Sequence, residues 1–498
     1  MHALSLAQTE PDEAPRAPSP TYQEAERWRL RRASWMLALI LVFATCYQFH
    51  VGGGWNVMTR IALIRAIFHD HTLSINRSQE RTGDKAEYPP GSGIYYCDKP
   101  VGAQILGFIG YVIGHDAAWW TLNSHYFALL SGAVVATFFA SALPAVVLGL
   151  LMLRLLVAMG QPVRRSAFAV LLGILGTLLW TYATVFYGHE AAASLGMISF
   201  LCAFFVLHGG RRPWLLAFLA GMCGAWATIS EFPAAFTCAV VLIYLLRAGL
   251  RYLVPFVLGT VWPVAVQLLY NQACFGSPFR FGYMYEANKD FANPSGWVSY
   301  PRLKPLLAVC FSTDKGIFFL SPVLIFACWG LYLLVRNPRW RREGIVAATM
   351  VVGFLLYNAG HYMWQGGVCF GPRHLVSMLP FLMLGLPFAW EGLSSLGRAV
   401  YVAFAAWSLL VSFAAVTTIA EPAMRLLTGE PGAVEALVRL SVGMLDWPNL
   451  GMCLGLPGWA SILAHALLLS LLTWWMAYTL RPRPDEPTGA PEALQKVV

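Results

Sequence analysis

The chain has 498 residues, 58% hydrophobic and only 12% charged, with 19 Trp and a formal net charge of +9. A soluble domain carries about 25% charged residues, so this composition excludes a water-facing globular surface, and its Trp rings suit the two water interfaces of a bilayer. The positive charge does not indicate nucleic acid, because Lys and Arg sit in short clusters between apolar runs, as topology signals do.

Residues 1–26 contain Pro11, Pro15, Pro18 and Pro20, several acids and no apolar run. They read as a disordered tail, and residues 1–32 as a cytoplasmic segment ending in Arg27, Arg29, Arg31 and Arg32. A basic cluster after such a tail does not open a signal peptide, so the first apolar run is expected to stay as a helix.

A spanning helix needs about 20 apolar residues. Runs of that kind lie near 33–51, 128–157, 166–186, 190–208, 213–229, 232–248, 252–270, 316–335, 343–360, 373–391, 398–419 and 457–480. Every second loop carries the basic residues: Arg164 and Arg165, Arg211 and Arg212, Arg247 and Arg251, Arg336 to Arg342, Arg398, then Arg481 and Arg483. The positive-inside rule then puts both termini in the cytoplasm of an inner (plasma) membrane protein. Val101–Gly114 is apolar but short, and counting it as a span would invert every later loop. It is therefore expected to lie on the outer face, the alternative being a tilted span through Trp119 and Trp120.

The outer side then owns two long loops, 52–102 and 271–315, and a third at 420–456. Long loops without their own core usually carry function. In residues 56–69, Val57, Ile61, Ile64 and Phe68 recur at i, i+4, i+7 and i+11, which predicts a short amphipathic helix in the outer interface. The ten Cys show no CxxC or metal spacing. An oxidising compartment would permit a disulfide among Cys97, Cys274, Cys310, Cys369 and Cys453, without a pairing being legible.

Chemistry-bearing residues gather in these loops. Asp84-Lys85 and Asp98-Lys99 are two Asp-Lys pairs, in which Asp suits a general base and Lys a phosphate contact. Gly188-His189-Glu190 and Ser230-Glu231 stand at the lips of apolar runs, where ionisable groups are costly and suggest a site or pathway. Arg373 opens an apolar run from its outer end, a poor place for a cation on helix-dipole grounds, so an anion such as phosphate is its expected partner. No P-loop, GxSxG or HExxH occurs, leaving ATP use and triad hydrolysis without support.

Taken in order, these elements resemble the GT-C membrane glycosyltransferases. The nearest branch is the protein-mannosyltransferase and aminoarabinose-transferase group, which take sugars from polyprenyl phosphate. The resemblance covers about residues 33–391. It rests on the first outer helix with Arg60, on Tyr95-Tyr96-Cys97-Asp98-Lys99-Pro100-Val101-Gly102, on Tyr187-Gly188-His189, on Asn271 through Phe279, on Lys315 through Pro322 and on Phe370-Gly371-Pro372-Arg373. It implies an all-α polytopic fold of about 12 transmembrane helices, or 13 if Val101–Gly114 spans, with interfacial helices in the first outer loop. Residues 33–391 would be the catalytic module, 392–480 additional C-terminal helices and 481–498 a cytoplasmic tail.

The family's catalytic Asp stands a few residues before the Arg matched by Arg60, where this chain has Asn56, Val57, Met58 and Thr59. An amide is no general base, so the expected base moves to Asp84, with Asp98 second. Arg60, Lys85, Lys99 and Arg373 are expected at the donor phosphate. Asn56, Tyr95, Tyr96, His189, Glu190, Glu231, His361 and Trp364 are expected around the substrate. The implied activity is inverting transfer of a sugar from a polyprenyl-phosphate donor to a cell-envelope glycan, lipid or protein on the outer face, within membrane lipid. No cofactor is expected and a divalent metal is not indicated. A twelve-helix secondary transporter or lipid-linked-sugar flippase is the alternative.

Overall fold

A computed structural model describes residues 20–50, 54–289, 297–418, 432–445 and 447–481. Of the tails expected at 1–32 and 481–498, residues 1–19 and 482–498 lie outside the described residues, as do 420–431 and 446 of the loop 420–456. Where the tail is described it is helical: α1 runs Pro20–Cys46, so the basic segment continues the first apolar helix. Glu and Arg are good helix formers, and Arg29 pairs with Glu26 one turn away.

Among the described residues, seven helices are long and apolar enough to cross a membrane: His125–Ala158, Gly188–Leu207, Pro213–Ser230, Leu250–Phe275, Arg341–Gly360, Ser395–Thr418 and Gly458–Thr479. An eighth would be Arg373–Leu382 with Gly385–Glu391, bent by 49°. The expected count of about twelve spans is thus matched only in part by long unbroken helices, because several apolar runs are interrupted or shorter, such as Phe232–Ala248 and Val323–Arg336. The run 166–186 breaks at Gly176 and restarts at Leu178, capped by the Thr177 side chain on the Leu179 amide. The run 316–335 divides into Ile317–Leu320 and Val323–Arg336 at Pro322, whose ring cannot continue a helix.

The bundle has two chemically different ends. At one, Arg165 pairs with Glu391, and Glu343 Oε1 meets His208 Nε2 at 3.0 Å and the Tyr244 hydroxyl at 2.7 Å. At the other, the Tyr47 hydroxyl donates to Ser461 O at 2.9 Å, Ser141 donates to Val185 O at 2.8 Å, and Arg60 pairs with Glu231. The basic loops and the loops rich in candidate site residues therefore stand at opposite ends.

The first long loop is not a helix lying on a surface. In α2, Trp55–His69, Val57, Ile61 and Ile64 join the main core as their spacing requires, but Ala62 and Leu63 join a second core with Ile75, Ala86, Cys97, Val101 and Tyr270. The helix is buried on two sides, between the bundle and the loop's own small core. Two short strands, β1 (Ala86–Glu87) and β2 (Tyr95–Tyr96), pair antiparallel in that loop.

The short apolar piece is longer than expected. α3 runs Gly102–Leu122, through Trp119 and Trp120, then turns at Asn123 in the left-handed region (φ 46°) into the helix His125–Ala158. Small residues let the two backbones touch: a Cβ on Gly110 would lie 2.5 Å from Val135 O, and one on Gly114 equally close to Ser131 O. The start of α3 packs at the same end as Arg60, with Gly102 against Ile229 and Ser230. By length and composition α3 does not count among the candidate spans.

Candidate active site

A cavity of about 800 Å³ opens at the end of the bundle away from the basic loops. Its walls come from six separated parts of the chain: the start of α2, the two outer loops, the segment 187–189, the turn 228–235, and the loop 357–374.

Lys99 forms the first wall. Its Nζ lies 3.0 Å from Asp84 Oδ2 and 2.5 Å from Asp98 Oδ2, and 5.0 Å from the centre of the Tyr283 ring. Burial pulls the Lys99 pKa down, but the charges of Asp84 and Asp98 outweigh it and hold the ammonium well above its usual range. Asp84 and Lys99 line the cavity; Asp98 stands behind them, buried, with Oδ1 lacking a hydrogen-bond partner. Burial pushes the Asp98 carboxyl upward, and Lys99 only partly offsets that.

Arg60 is expected at the phosphate, but it lies wholly buried behind the cavity wall. Its Nε donates to Asn56 Oδ1 at 3.0 Å, Nη1 to Gln104 Oε1 at 3.0 Å and Pro100 O at 3.2 Å, and Nη2 to Glu231 Oε1 at 2.8 Å. With four acceptors already bound, it clamps Glu231 rather than facing a ligand. Burial raises the Glu231 carboxyl, against the pull of Arg60. His189 Nδ1 stands 3.7 Å from the same Glu231 oxygen, and His189 Nε2 has no hydrogen-bond partner.

Arg373 lines the cavity from the loop 357–374. Its Cζ sits 5.8 Å from the Tyr187 ring centre, and its Nε is buried without a hydrogen-bond partner. Among the described residues no carboxylate lies within salt-bridge distance of it. The loop that presents it turns through Gly366 (φ 80°) and Gly371 (φ 67°), left-handed positions open to glycine. Lys315 pins this loop by donating to the carbonyls of Gly367, at 3.1 Å, and Cys369. His361 is buried beside it, and its pKa falls to about 4 through desolvation and then the charge of Arg373.

Of the residues expected from the sequence, Asn56, Asp84, Lys99, His189, Glu231, His361 and Arg373 line one cavity. The others do not. Lys85 Nζ is turned to Gln79 O at 3.1 Å and to the Tyr95 ring; Tyr95 and Tyr96 pack in the small core of the first loop. Glu190 takes the Ser194 hydroxyl inside its helix, and Trp364 packs on the main core. Trp55, Phe232, Tyr283, Glu286, Trp297, Tyr357 and His374 line the cavity without having been singled out. The aromatic density of the stretch from Phe281 to Trp297 was their available signal.

All ten cysteines are free thiols. Among the described residues, no three His, Cys, Asp or Glu side chains are grouped as a metal site needs.

Fold and site thus define a helical, multi-pass membrane protein with a charged and aromatic cavity at one end of its spans. No protein-family model matches the sequence, and no curated protein matches it. Among solved structures, the chain is similar to ArnT from Cupriavidus metallidurans bound to undecaprenyl phosphate, at 15% identity over 91% of this chain and 76% of that one, with a TM-score of 0.48. It is also similar to the archaeal oligosaccharyltransferase AglB from Archaeoglobus fulgidus in complex with an inhibitory peptide and a dolichol-phosphate, at 14% identity over 93% of this chain and 61% of that one, with a TM-score of 0.42.

Proposed function

We propose that this protein is a membrane glycosyltransferase that moves a sugar from a polyprenyl-phosphate donor to a hydroxyl of a cell-envelope acceptor. The observation that carries the proposal is the presence, in one cavity, of an Asp84–Lys99 ion pair and a guanidinium, Arg373, that has no carboxylate partner among the described residues. A phosphate is the natural ligand for that guanidinium, and aromatic walls suit the faces of a sugar ring. Both outer loops roof the cavity, as a site at the membrane face requires and a midplane transport site does not.

In the reaction, Asp84 accepts the proton of the acceptor hydroxyl as its oxygen attacks the anomeric carbon in line, with inversion. The bond from that carbon to the phosphate oxygen breaks, and polyprenyl phosphate leaves. Arg373 meets the charge developing on it. Lys99 orients the Asp84 carboxylate, and once Asp84 is protonated the ammonium, still paired with Asp98, has a hydrogen to offer the leaving phosphate. Asp98 holds Lys99 from behind, and Arg60 holds Glu231. The cavity faces the outer side, with both termini cytoplasmic, since the basic loops gather at the far end of the bundle.

The test is transfer of labelled sugar from a polyprenyl-phosphate donor by the purified protein in lipid nanodiscs, with Asp84→Asn alongside. Transfer by the wild-type protein and its loss in the variant, with donor binding retained, is the expected result. Undiminished transfer by Asp84→Asn would remove Asp84 from the role of base.

A further inference from the structure

One carboxyl in the cavity has no part in the reaction just described. Glu286 follows the short turn Gly282–Tyr285 and lines the cavity. Its position is fixed by backbone: Glu286 forms a bridge with Ala86 of β1, and the Ala287 amide donates to Lys85 O at 2.9 Å. It is therefore held beside the strand that follows Asp84.

Among the described residues, no cation lies within salt-bridge distance of its side chain. Lys99, the cation of that wall, is engaged by Asp84 and Asp98. A long bond from the Asn288 amide, at 3.4 Å, is what the Glu286 carboxyl accepts. Phe281, Met284 and Trp297 line the same cavity. The charged groups that act on it are Asp84, Asp98 and Lys99, and the phenols of Tyr283 and Tyr362 complete its titratable surroundings. A largely desolvated carboxyl near two other acids is more stable uncharged. Desolvation, and after it the charge of Asp98, push its pKa up to about 9.

We propose that Glu286 enters the reaction as an uncharged carboxylic acid and donates a hydrogen bond to an oxygen of the transferred sugar, which makes it a specificity-determining residue. This rests on the glycosyltransfer proposed above. An uncharged acid carries one O–H donor and keeps acceptor capacity. It adds no negative charge to a site that must admit a phosphate, which an ionised carboxylate in the same place would do. Asp84, ion-paired to Lys99, and Glu286, without a cation, would then be two acids separated in role by their surroundings.

The experiment compares wild type with Glu286→Gln, an uncharged donor of the same shape, and Glu286→Ala, from pH 7 to pH 10, with a polyprenyl-phosphate sugar and the full chain in nanodiscs. At pH 7 the Gln variant should keep KM within about threefold of wild type while the Ala variant raises it about tenfold, the worth of one hydrogen bond. Wild-type KM should climb as the pH passes about 9, and that of Glu286→Gln should not. A Gln variant as impaired as the Ala variant overturns the uncharged-donor role.

A second arm reads the protonation state without activity. A raised carboxyl contributes stability that is fully present below its unfolded pKa and is lost as pH rises through its folded one. The thermal midpoint of wild type should therefore fall between pH 5 and 9 more steeply than that of Glu286→Gln, and equal slopes overturn the uncharged state. If wild type transfers no sugar at all, the glycosyltransfer proposal and the donor role both fall, while this arm still decides whether Glu286 is uncharged.

Discussion

Arg60 Nη2 donates to Glu231 Oε1 at 2.8 Å, joining the first helix of the outer loop to the end of the helix Pro213–Ser230. The pair is largely shielded from water, since the Arg60 side chain is 0% and that of Glu231, at the cavity wall, 11% exposed. This pair ties the outer loop to the bundle, and the Arg60 bond to Pro100 O holds the residue that follows Lys99.

Breaking one half of a buried pair strands the other, at a cost of about 3–5 kcal/mol. Arg60→Met should therefore lower the thermal midpoint of the detergent-purified protein strongly. Arg60→Met combined with Glu231→Gln should recover part of the loss, because no stranded carboxylate remains. A double variant as unstable as the sum of the singles would show that the two residues do not act as a pair.

Arg373 makes a different prediction, because it is free to face a ligand. Arg373→Ala should leave the fold intact and weaken polyprenyl-phosphate binding by about 10- to 100-fold, the worth of one charge-assisted hydrogen bond to an anion. Arg373→Lys should recover only part, since a point charge cannot reproduce a planar two-donor fork. Titration of the lipid phosphate into protein in nanodiscs checks both, and unchanged affinity in the Ala variant would exclude Arg373 from the phosphate.

The helical hairpin depends on its glycines. A side chain at Gly110 meets Val135 O and the Phe139 ring below 3 Å, so Gly110→Val must push the two helices apart. Overpacking of this kind costs about 1–3 kcal/mol. Gly209, where nothing stands within 4 Å of the added Cβ but φ is 80°, offers a contrast. There Gly209→Ala should cost about 1 kcal/mol through backbone strain alone. Thermal unfolding of the two variants, followed by tryptophan fluorescence, distinguishes crowding from strain.

His361 sets an acid limit. Its folded pKa is depressed to about 4, first by burial and then by Arg373. A depressed group contributes stability that is present above its unfolded pKa, about 6.5, and is lost as pH falls through the folded value. Wild type should therefore lose stability between about pH 6.5 and 4, and His361→Gln should lose less over that interval. Identical acid profiles would show that another group governs this limit.

Much of this molecule was legible before any coordinates. The alternation of basic loops with loops rich in His, Asp and Glu follows from the bilayer, because a span has a set length and Arg is retained on one side. That alternation alone placed Asp84, Lys99, His189, Glu231, His361 and Arg373 at one end, and the structure has the loops that carry them there. The stripe Val57, Ile61, Ile64 announced α2 as a helix, and in the structure these residues join the main core.

What the chain could not disclose alone is which of those residues meet, and with what. Local sequence contained no sign that Ala62 and Leu63 would be covered by a second core, so α2 read as an interfacial helix instead of a buried one. Arg60 and Arg373 look equivalent as isolated cations. Only packing decided that one is enclosed by four acceptors while the other faces the cavity, because the acceptors for Arg60 come from residues 40, 44 and 171 positions away as well as from Asn56. Hydropathy and charge alternation are summed along the chain and survive without a fold. The pairing of a buried charge is settled by groups distant in sequence, and so belongs to the tertiary structure.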